Sequence, residues 1–194
     1  MAYQQYRTEA IVLRSFSAKE ADKVLVLFAR EFGLLYVRAV SLREEKSRQR
    51  YSLQDLSLAN VGIVRGKGGW RLVGASLTAS HPREEDSMRT YARLASMVVS
   101  LVHGEERNDY LFNTLEQAHG ALSEGTLPPQ SLEIICAVKI LYALGYFSPD
   151  ESQKRLLEDA PYTAELCACA ESMRKPLVRG INNALRESQL IFNT

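Results

Sequence analysis

Five short apolar segments, rich in β-branched residues, lie within the first 80 residues of this 194-residue chain and constrain its fold more than any other feature. Glycines punctuate them: Gly33 and the cluster from Gly66 to Gly69 lie at segment boundaries, and Gly62 lies within the fourth segment. The segments are TEAIVLRSF, KVLVLFAR, GLLYVRAV, LSLANVGIVR and GWRLVGASLTA. Such segments predict β-strands, and a five-stranded sheet leaves exposed edges unless it closes on itself. We therefore predict a small closed β-barrel over residues 1–80.

The sequence SHPREEDS marks a change from strands to helices. Pro82 precedes three acidic residues, which favour a helix N-terminus through the helix dipole, and apolar residues then recur every three or four positions through Val102. The segment SLEIICAVKILYALGY is apolar on nearly every side and predicts a buried central helix capped by Gly145. Two more helical segments follow, TAELCACAESMRK and LVRGINNALRESQLIF. We predict an all-α domain over residues 81–194, and so a two-domain α+β protein.

The net charge of +1 is distributed unevenly along the chain. Residues 1–80 carry +6 and residues 81–194 carry −5, which suggests two modules with different partners. No apolar run approaches the ~20 residues of a membrane span. The polar start MAYQQYRTEA lacks the apolar core of a secretion signal. We expect a cytoplasmic protein that does not associate with membranes.

Three cysteines occur, at Cys136, Cys167 and Cys169. An odd number of cysteines without a C-x-x-C pair fits reduced, buried thiols better than a disulfide framework or a four-ligand zinc site. We expect no metal and no cofactor.

Motifs of catalysis are scarce in this sequence. The histidines are isolated, without an H-E-x-x-H pattern, and no G-x-S-x-G occurs. Ser172 and Lys175 form an S-x-x-K pair, but that pattern is too short to indicate a nucleophile without its companion motifs. We expect a protein that is not an enzyme.

The stretch IVRGKGGWRLV, residues 63–73, concentrates basic residues around glycines. A Walker A loop requires Ser or Thr after its lysine and a helix thereafter, whereas Lys67 is followed by Gly68 and another strand. The stretch therefore predicts a β-hairpin tip. The tip is either a solvated turn or an arm that contacts a nucleic-acid backbone.

Further basic residues lie in the loops of the same module. Small barrels commonly bind single strands through basic grooves and stacked aromatics. Tyr36, Tyr51 and Trp70 are candidates for stacking, with ordinary barrel packing as the alternative. The candidate DNA-binding residues are Arg14, Lys19, Lys23, Arg43, Lys46, Arg48, Arg50, Arg65, Lys67 and Arg71.

Several segments together resemble the RecO family of bacterial recombination mediators. TEAIVLRSFSAKEADKVLVLFAREFGLLYVRAV is similar to that family's opening, and RGKGGWRLVGASL to its R-G-x-G hairpin. EERNDYLFNTLEQAHGAL, AVKILYALGYFSP and LRESQLIF resemble its helical part. The resemblance covers nearly the whole chain in the expected order, but the family's frequent four-cysteine zinc ribbon has no counterpart.

The resemblance implies an OB-fold barrel and a function in DNA repair and recombination without catalysis. Such a protein binds single-stranded DNA and the C-terminal tail of single-strand-binding protein, anneals strands, and loads the recombinase with a RecR-like partner. The tail is acidic and ends in Phe, so its site needs an apolar pocket with a nearby cation. The candidate tail-binding residues are Lys139, Tyr142, Arg174, Lys175 and Arg179.

Two alternatives stay open at this point. Lys139 is either part of that site or a surface lysine whose stem covers apolar neighbours. The whole chain is either a DNA-binding mediator or a protein–protein adaptor of the repair machinery that has lost DNA binding, because Glu44 and Glu45 dilute the charge of the basic loop.

Overall fold

A computed structural model describes residues 4–18, 22–40 and 53–188. Five strands form a closed barrel in the order β1-β2-β3-β5-β4. Strands β3 and β5 pair in parallel, whereas the other neighbours are antiparallel. The strands are β1 Gln5–Ser17, β2 Lys23–Ala29, β3 Gly33–Ala39, β4 Leu58–Gly66 and β5 Gly69–Ala79. The predicted closed barrel and its OB-fold class are confirmed.

The long first strand closes the barrel by pairing with two neighbours. Its first half, Gln5–Ile11, pairs with β4, and its second half, Ala10–Ser17, pairs with β2. The register with β2 shifts between Val12 and Arg14. A bulge of this kind bends a strand and increases its twist, which lets one strand serve both sides of the closure.

Alternating apolar residues of every strand fill the barrel interior. Leu25 and Leu27 of β2 and Leu35 and Val37 of β3 are fully buried in one cluster. Adjacent side chains on a strand point to opposite faces, so the residues between them face outward. The register of the barrel therefore decides which polar residues share an outer surface.

An aromatic cluster closes one end of the interior. The rings of Tyr6, Phe32 and Trp70 lie 5.3–5.7 Å apart in edge-on or tilted arrangements. Trp70 is only 6% exposed, and its indole Nε1 donates a 3.0 Å hydrogen bond to a carboxylate oxygen of Glu105. Of the two uses predicted for Trp70, packing is therefore correct and base stacking is wrong.

The chain divides into two compact units. The barrel unit comprises Met1–His81 together with His103–Asp109, and the helical unit comprises Pro82–Val102 and Tyr110–Thr194. Within the barrel unit, residues 103–109 contact Gly33, which has a φ of +68°. A Cβ built on Gly33 would lie 2.1 Å from the carbonyl oxygen of Glu106. The sequence carried no signal that residues 103–109 pack with the barrel.

The helical unit is built around one apolar helix. Helix α3 contacts α1, α4 and α5, and Gly145, with a φ of +77°, ends it. The Gly145 and Tyr146 amides donate to the carbonyls of Tyr142 and Leu141, which is the Schellman arrangement. The helices are α1 Glu85–Leu101, α2 Asp109–Glu124, α3 Pro129–Ala143, α4 Ala164–Ser172 and α5 Arg174–Glu187, with a 3₁₀ turn at Lys154–Leu157. The predicted central helix and its glycine cap are confirmed.

None of the helices within the described residues is both long enough and apolar enough to cross a lipid bilayer.

Candidate nucleic-acid interface

The outer face of β1, β2, β3 and β5 brings together residues from distant parts of the chain. In one row of the sheet, Arg14 of β1 pairs with Val26, which pairs with Tyr36. In the next row Phe16 pairs with Val24, Val24 pairs with Arg38, and Arg38 pairs with Arg71. Directly paired residues share a face of a sheet. We call the outward residues Arg14, Phe16, Tyr36, Arg38 and Arg71, with Lys67 at the hairpin tip, the barrel face.

Two aromatic side chains of the barrel face are open to solvent. Phe16 is 46% exposed and Tyr36 is 51% exposed. A ring that stays half exposed contributes little to the hydrophobic core. It can stack on a flat partner, and every nucleic-acid base is such a partner. These two rings, unlike the buried Trp70, are accessible to a stacking partner.

A basic cavity lies at the β4–β5 hairpin. It has a volume of about 300 Å³, and Arg38, Lys67 and Arg71 line it together with glycines of the turn. Gly66 pairs with Gly69 across a two-residue turn, and Gly69 has a φ of +96°, a conformation that favours glycine. The predicted hairpin is confirmed, and its tip leaves space around three cations.

The charge of this face is only partly neutralised. Arg38 donates from Nε and Nη2 to one carboxylate oxygen of the buried Asp22, at 3.2 and 2.7 Å. Arg14, Lys67 and Arg71 make no ion pair with any residue that the structure describes. The face thus holds an excess of positive charge, which is the electrostatic requirement for holding phosphates.

Two other predicted DNA-binding residues lie elsewhere on the barrel. Arg65 stacks over the Trp70 ring, 5.4 Å from its centroid, and its Nη1 lies 3.4 Å from a Glu105 carboxylate oxygen. Lys23 donates a 3.3 Å hydrogen bond from Nζ to the Ser15 hydroxyl. The sequence grouped both with the basic surface because it counted charges without the register. Lys19, Arg43, Lys46, Arg48, Arg50 and the aromatic candidate Tyr51 lie outside the described residues.

Sequence reasoning missed Arg38 and Phe16 as parts of this face. The signal was present, since Leu35 and Val37 are apolar while Tyr36 and Arg38 alternate with them. Such alternation is typical of a strand with one buried and one exposed side. Only the pairing of Arg38 with Arg71 between the adjacent strands β3 and β5, however, shows that the two cations are neighbours.

A second concave surface lies in the helical unit. It has a volume of about 550 Å³ and lies between the turn that precedes α3 and the side of α4. Leu127, Pro128, Cys167 and Ala168 supply most of its apolar lining, and Arg174 stands at its edge. We call it the α4 groove. The Arg174 guanidinium lies 3.1 Å from a carboxylate oxygen of Glu171, which also borders this groove.

The structure corrects the predicted environment of Lys139. This residue is 1% exposed; its Nζ donates a 2.8 Å hydrogen bond to the Glu158 carbonyl and lies 4.8 Å from the Tyr162 ring centroid. Burial lowers the pKa of its ammonium group. Lys139 is therefore neither a surface lysine nor accessible to a partner's carboxylate, although Tyr142, three residues later, is 44% exposed. The partners of Lys139 lie 19 or more residues away, so the sequence could not reveal this burial.

Lys175 and Arg179 do not line the α4 groove but a second cavity, which shares Arg174 with that groove. Both side chains are exposed on α5 and line an open cavity of about 590 Å³ with other residues of that helix. Of the five candidates for tail binding, Lys139 is therefore in the interior and Tyr142 lines neither cavity. Lys175 and Arg179 line the cavity on α5, and Arg174 lines both cavities.

The two buried cysteine thiols, Cys136 and Cys167, are held in their protonated form at neutral pH. Burial raises the pKa of Cys136 to about 12 and also raises that of Cys167, whereas a metal binds the thiolate. Among the described residues, no three or more His, Cys, Asp or Glu side chains are grouped as a metal site would require.

Comparison with known proteins identifies relatives of this chain. A family profile described as "Recombination protein O N terminal" matches residues 1–81, which are the strands of the barrel. Curated relatives named "DNA repair protein RecO" extend the match into the helical unit. The relative from Bacillus cytotoxicus is 30% identical over 144 residues, that from Thermoanaerobacter sp. strain X514 is 26% identical over 145, and that from Bacillus mycoides is 28% identical over 142.

Each of these alignments covers 72% of this chain, and the chain spans 57–58% of the length of the relatives. Because the matched profile lies on a barrel of OB topology and the relatives align with 72% of the chain, the chain belongs to the RecO family.

Proposed function

We propose that the chain is a DNA repair and recombination mediator that acts in the cytoplasm by binding single-stranded DNA through its barrel face. One observation carries the proposal: two exposed aromatic rings, Phe16 and Tyr36, lie among unneutralised cations on one side of the barrel. The name "DNA repair protein RecO" borne by the relatives agrees with it. No step of this function requires bond chemistry, so the proposal is of a protein that is not an enzyme.

The barrel face suits an unpaired strand for two physical reasons. Cations neutralise phosphates and release their counterions, which supplies affinity without regard to sequence. The exposed rings of Phe16 and Tyr36 stack on bases, which are accessible only when the strand is unpaired. Duplex DNA would offer phosphates to the cations but no unpaired base to the rings, so the rings favour single strands.

Substitution of the two rings tests the stacking directly. We expect Phe16→Ala and Tyr36→Ala each to weaken binding of a labelled oligonucleotide by about 5- to 100-fold, because a stacked base contributes ~1–3 kcal/mol. Fluorescence anisotropy with oligo-dT measures the loss. Because no cation is removed, the dependence of affinity on salt is expected to stay unchanged.

A matched aromatic substitution away from the barrel serves as the control. Tyr146 is 37% exposed in the helical unit, and Tyr146→Ala is expected to leave oligonucleotide affinity within about twofold, because it removes no stacking partner from the barrel face. Equal losses in all three variants, or none in Phe16→Ala and Tyr36→Ala, would contradict base stacking on the barrel face.

The alternative function, a protein–protein adaptor without DNA binding, is separated by one titration of the unaltered chain. Oligo-dT binding is measured at low and at moderate salt. The mediator predicts binding that is tight at low salt and weakens steeply as salt rises. Absence of binding at low salt would favour the adaptor.

We further propose that the α4 groove receives the C-terminal tail of single-strand-binding protein. A tail that ends in Phe needs an apolar cleft for the ring and a cation for its terminal carboxylate. The α4 groove offers both, with Leu127 and Pro128 in its lining and Arg174 at its edge. We also propose that the protein anneals complementary strands and helps to load the recombinase together with a RecR-like partner.

Two substitutions in the α4 groove test the tail site. Arg174→Glu is expected to weaken binding of an acidic Phe-ended peptide by about tenfold or more, because it places like charges together, and Ala168→Trp is expected to abolish it by filling the cleft. Isothermal titration calorimetry measures both. The control is Arg155→Glu, an equal charge change at an arginine whose ion-pair partner, Glu165, does not line the groove. Unchanged peptide affinity in Ala168→Trp would show that the tail binds elsewhere.

A further inference from the structure

Helix α5 carries a row of basic and amide side chains along one exposed face. Lys175, Arg179, Asn182 and Arg186 follow one another at spacings of four, three and four residues, which places them on the same side of a helix. All four side chains are exposed, and they line a single open cavity of about 590 Å³. The three cations are separated by about 6 and about 10 Å along the helix axis.

These charges are not neutralised within the part of the chain that the structure describes. Like charges four residues apart, such as Lys175 and Arg179, destabilise a helix, and no ion pair to a described residue relieves them. Four other exposed cations of the helical unit do have carboxylate partners, namely Arg89 with Glu85, Arg93 with Glu133, Lys154 with Glu151 and Arg155 with Glu165, whereas Arg83 shows none among the described residues. The row on α5 therefore has the character of a surface that meets an anion.

The chemistry of the row distinguishes among anionic partners. Among the residues that line this cavity, Val178 is the only apolar one, so the face lacks the apolar cleft that an aromatic-ended peptide needs and the apolar stripe that a membrane surface needs. Lysine, arginine and asparagine are side chains that bind phosphate oxygens and base edges. A straight row of cations can contact several phosphates of one strand.

We infer that the exposed face of α5 is a second binding surface for single-stranded DNA, separate from the barrel face; the inference rests on the proposed function. A flexible single strand follows a straight row of cations without the deformation that a duplex would require. This assigns Lys175 and Arg179 to phosphates, whereas the sequence grouped them with the tail site. A chain with two such surfaces holds two strands at once, which is what strand annealing requires.

The test neutralises the row without reversing it. In the full chain, Lys175→Gln, Arg179→Gln and Arg186→Gln are combined, and oligo-dT affinity is measured by anisotropy over a range of salt. Because each phosphate contact on a single strand contributes about 0.7 to the slope of log affinity against log salt, the slope is expected to fall by about 2, and affinity at low salt on the order of tenfold. The control combines Arg89→Gln, Lys154→Gln and Arg155→Gln, an equal change in net charge at ion-paired sites.

Folding is checked by circular dichroism, and the single variant Arg179→Gln, with an expected slope change of about 0.7, provides a milder test. A photo-crosslinking residue at position 182 is expected to capture labelled oligo-dT. A wild-type slope in the triple variant would overturn the inference. So would loss of binding to an acidic Phe-ended peptide with DNA binding intact, since the face would then belong to a protein partner. If charge reversal on the barrel face abolishes binding while the α5 variant binds normally, this inference fails and the proposed function stands.

Discussion

Combined replacement of Arg14, Lys67 and Arg71 by glutamate is expected to weaken single-stranded DNA binding on the order of 100-fold at low salt. Each substitution removes a phosphate contact and adds repulsion, and the salt dependence should fall by about 2 in slope because three contacts of about 0.7 each are lost. These three cations make no ion pair with a described residue. Their replacement therefore leaves no buried partner stranded, and anisotropy with labelled oligo-dT reports binding alone.

Arg38 is left in place in this experiment for a structural reason. Its guanidinium bonds the buried carboxylate of Asp22, and breaking a buried ion pair by removing one partner destabilises the fold. Loss of DNA binding in an Arg38 variant would mix two causes.

The control for the triple variant carries the same charge change on the helical unit, with Arg89, Lys154 and Arg155 replaced by glutamate. Simple long-range repulsion predicts equal losses in both proteins and is screened by salt. Local phosphate contacts predict a large loss only in the barrel variant. Full affinity after the barrel triple change would place the DNA-binding surface elsewhere.

Replacing Gly33 by alanine is expected to lower the free energy of unfolding of the barrel unit by about 3 kcal/mol or more. A left-handed φ of +68° costs about 1–2 kcal/mol for a residue with a Cβ. The new methyl group would also lie 2.1 Å from the Glu106 carbonyl oxygen, and overpacking of this kind costs about 1–3 kcal/mol. Trp70 is the only tryptophan and lies in the barrel core, so its fluorescence during urea denaturation measures the change.

A second glycine of the same unit separates the two contributions. Gly104 also has a positive φ, +92°, but no atom lies within 4 Å of a Cβ built there. Gly104→Ala should therefore cost only the conformational part, about 1–2 kcal/mol. If both variants lose equal stability, then residues 103–109 do not pack against Gly33 as the structure describes.

The local elements of this protein follow closely from its sequence. Short apolar segments rich in β-branched residues predicted the strands, three- and four-residue spacing predicted the helices, and Gly145 was recognised as a cap. Each of these features depends on residues within a few positions of one another, where backbone geometry and burial are set by the neighbouring pattern. The closed barrel also followed, because a sheet of five short strands protects its edges by closing on itself.

The composition of the binding surface did not follow from the sequence. Arg14, Arg38 and Arg71 are far apart along the chain and become neighbours only through the pairings of β1 with β2, β2 with β3, and β3 with β5. Counting charges instead grouped Arg65 with them, although that side chain stacks on Trp70 at the end of the barrel.

The sequence by itself determined which segments form strands and helices, where glycines turn the chain, and that positive charge is concentrated in the first 80 residues. The tertiary structure alone decided which side chains face solvent together. In that structure Phe16 and Tyr36 are exposed beside the cations, and Lys139 is buried against the Glu158 carbonyl. Residues 103–109 pack against Gly33. The physical reason is that secondary structure is selected by short-range backbone and burial preferences, whereas a surface depends on strand register and packing between residues that are distant in the chain.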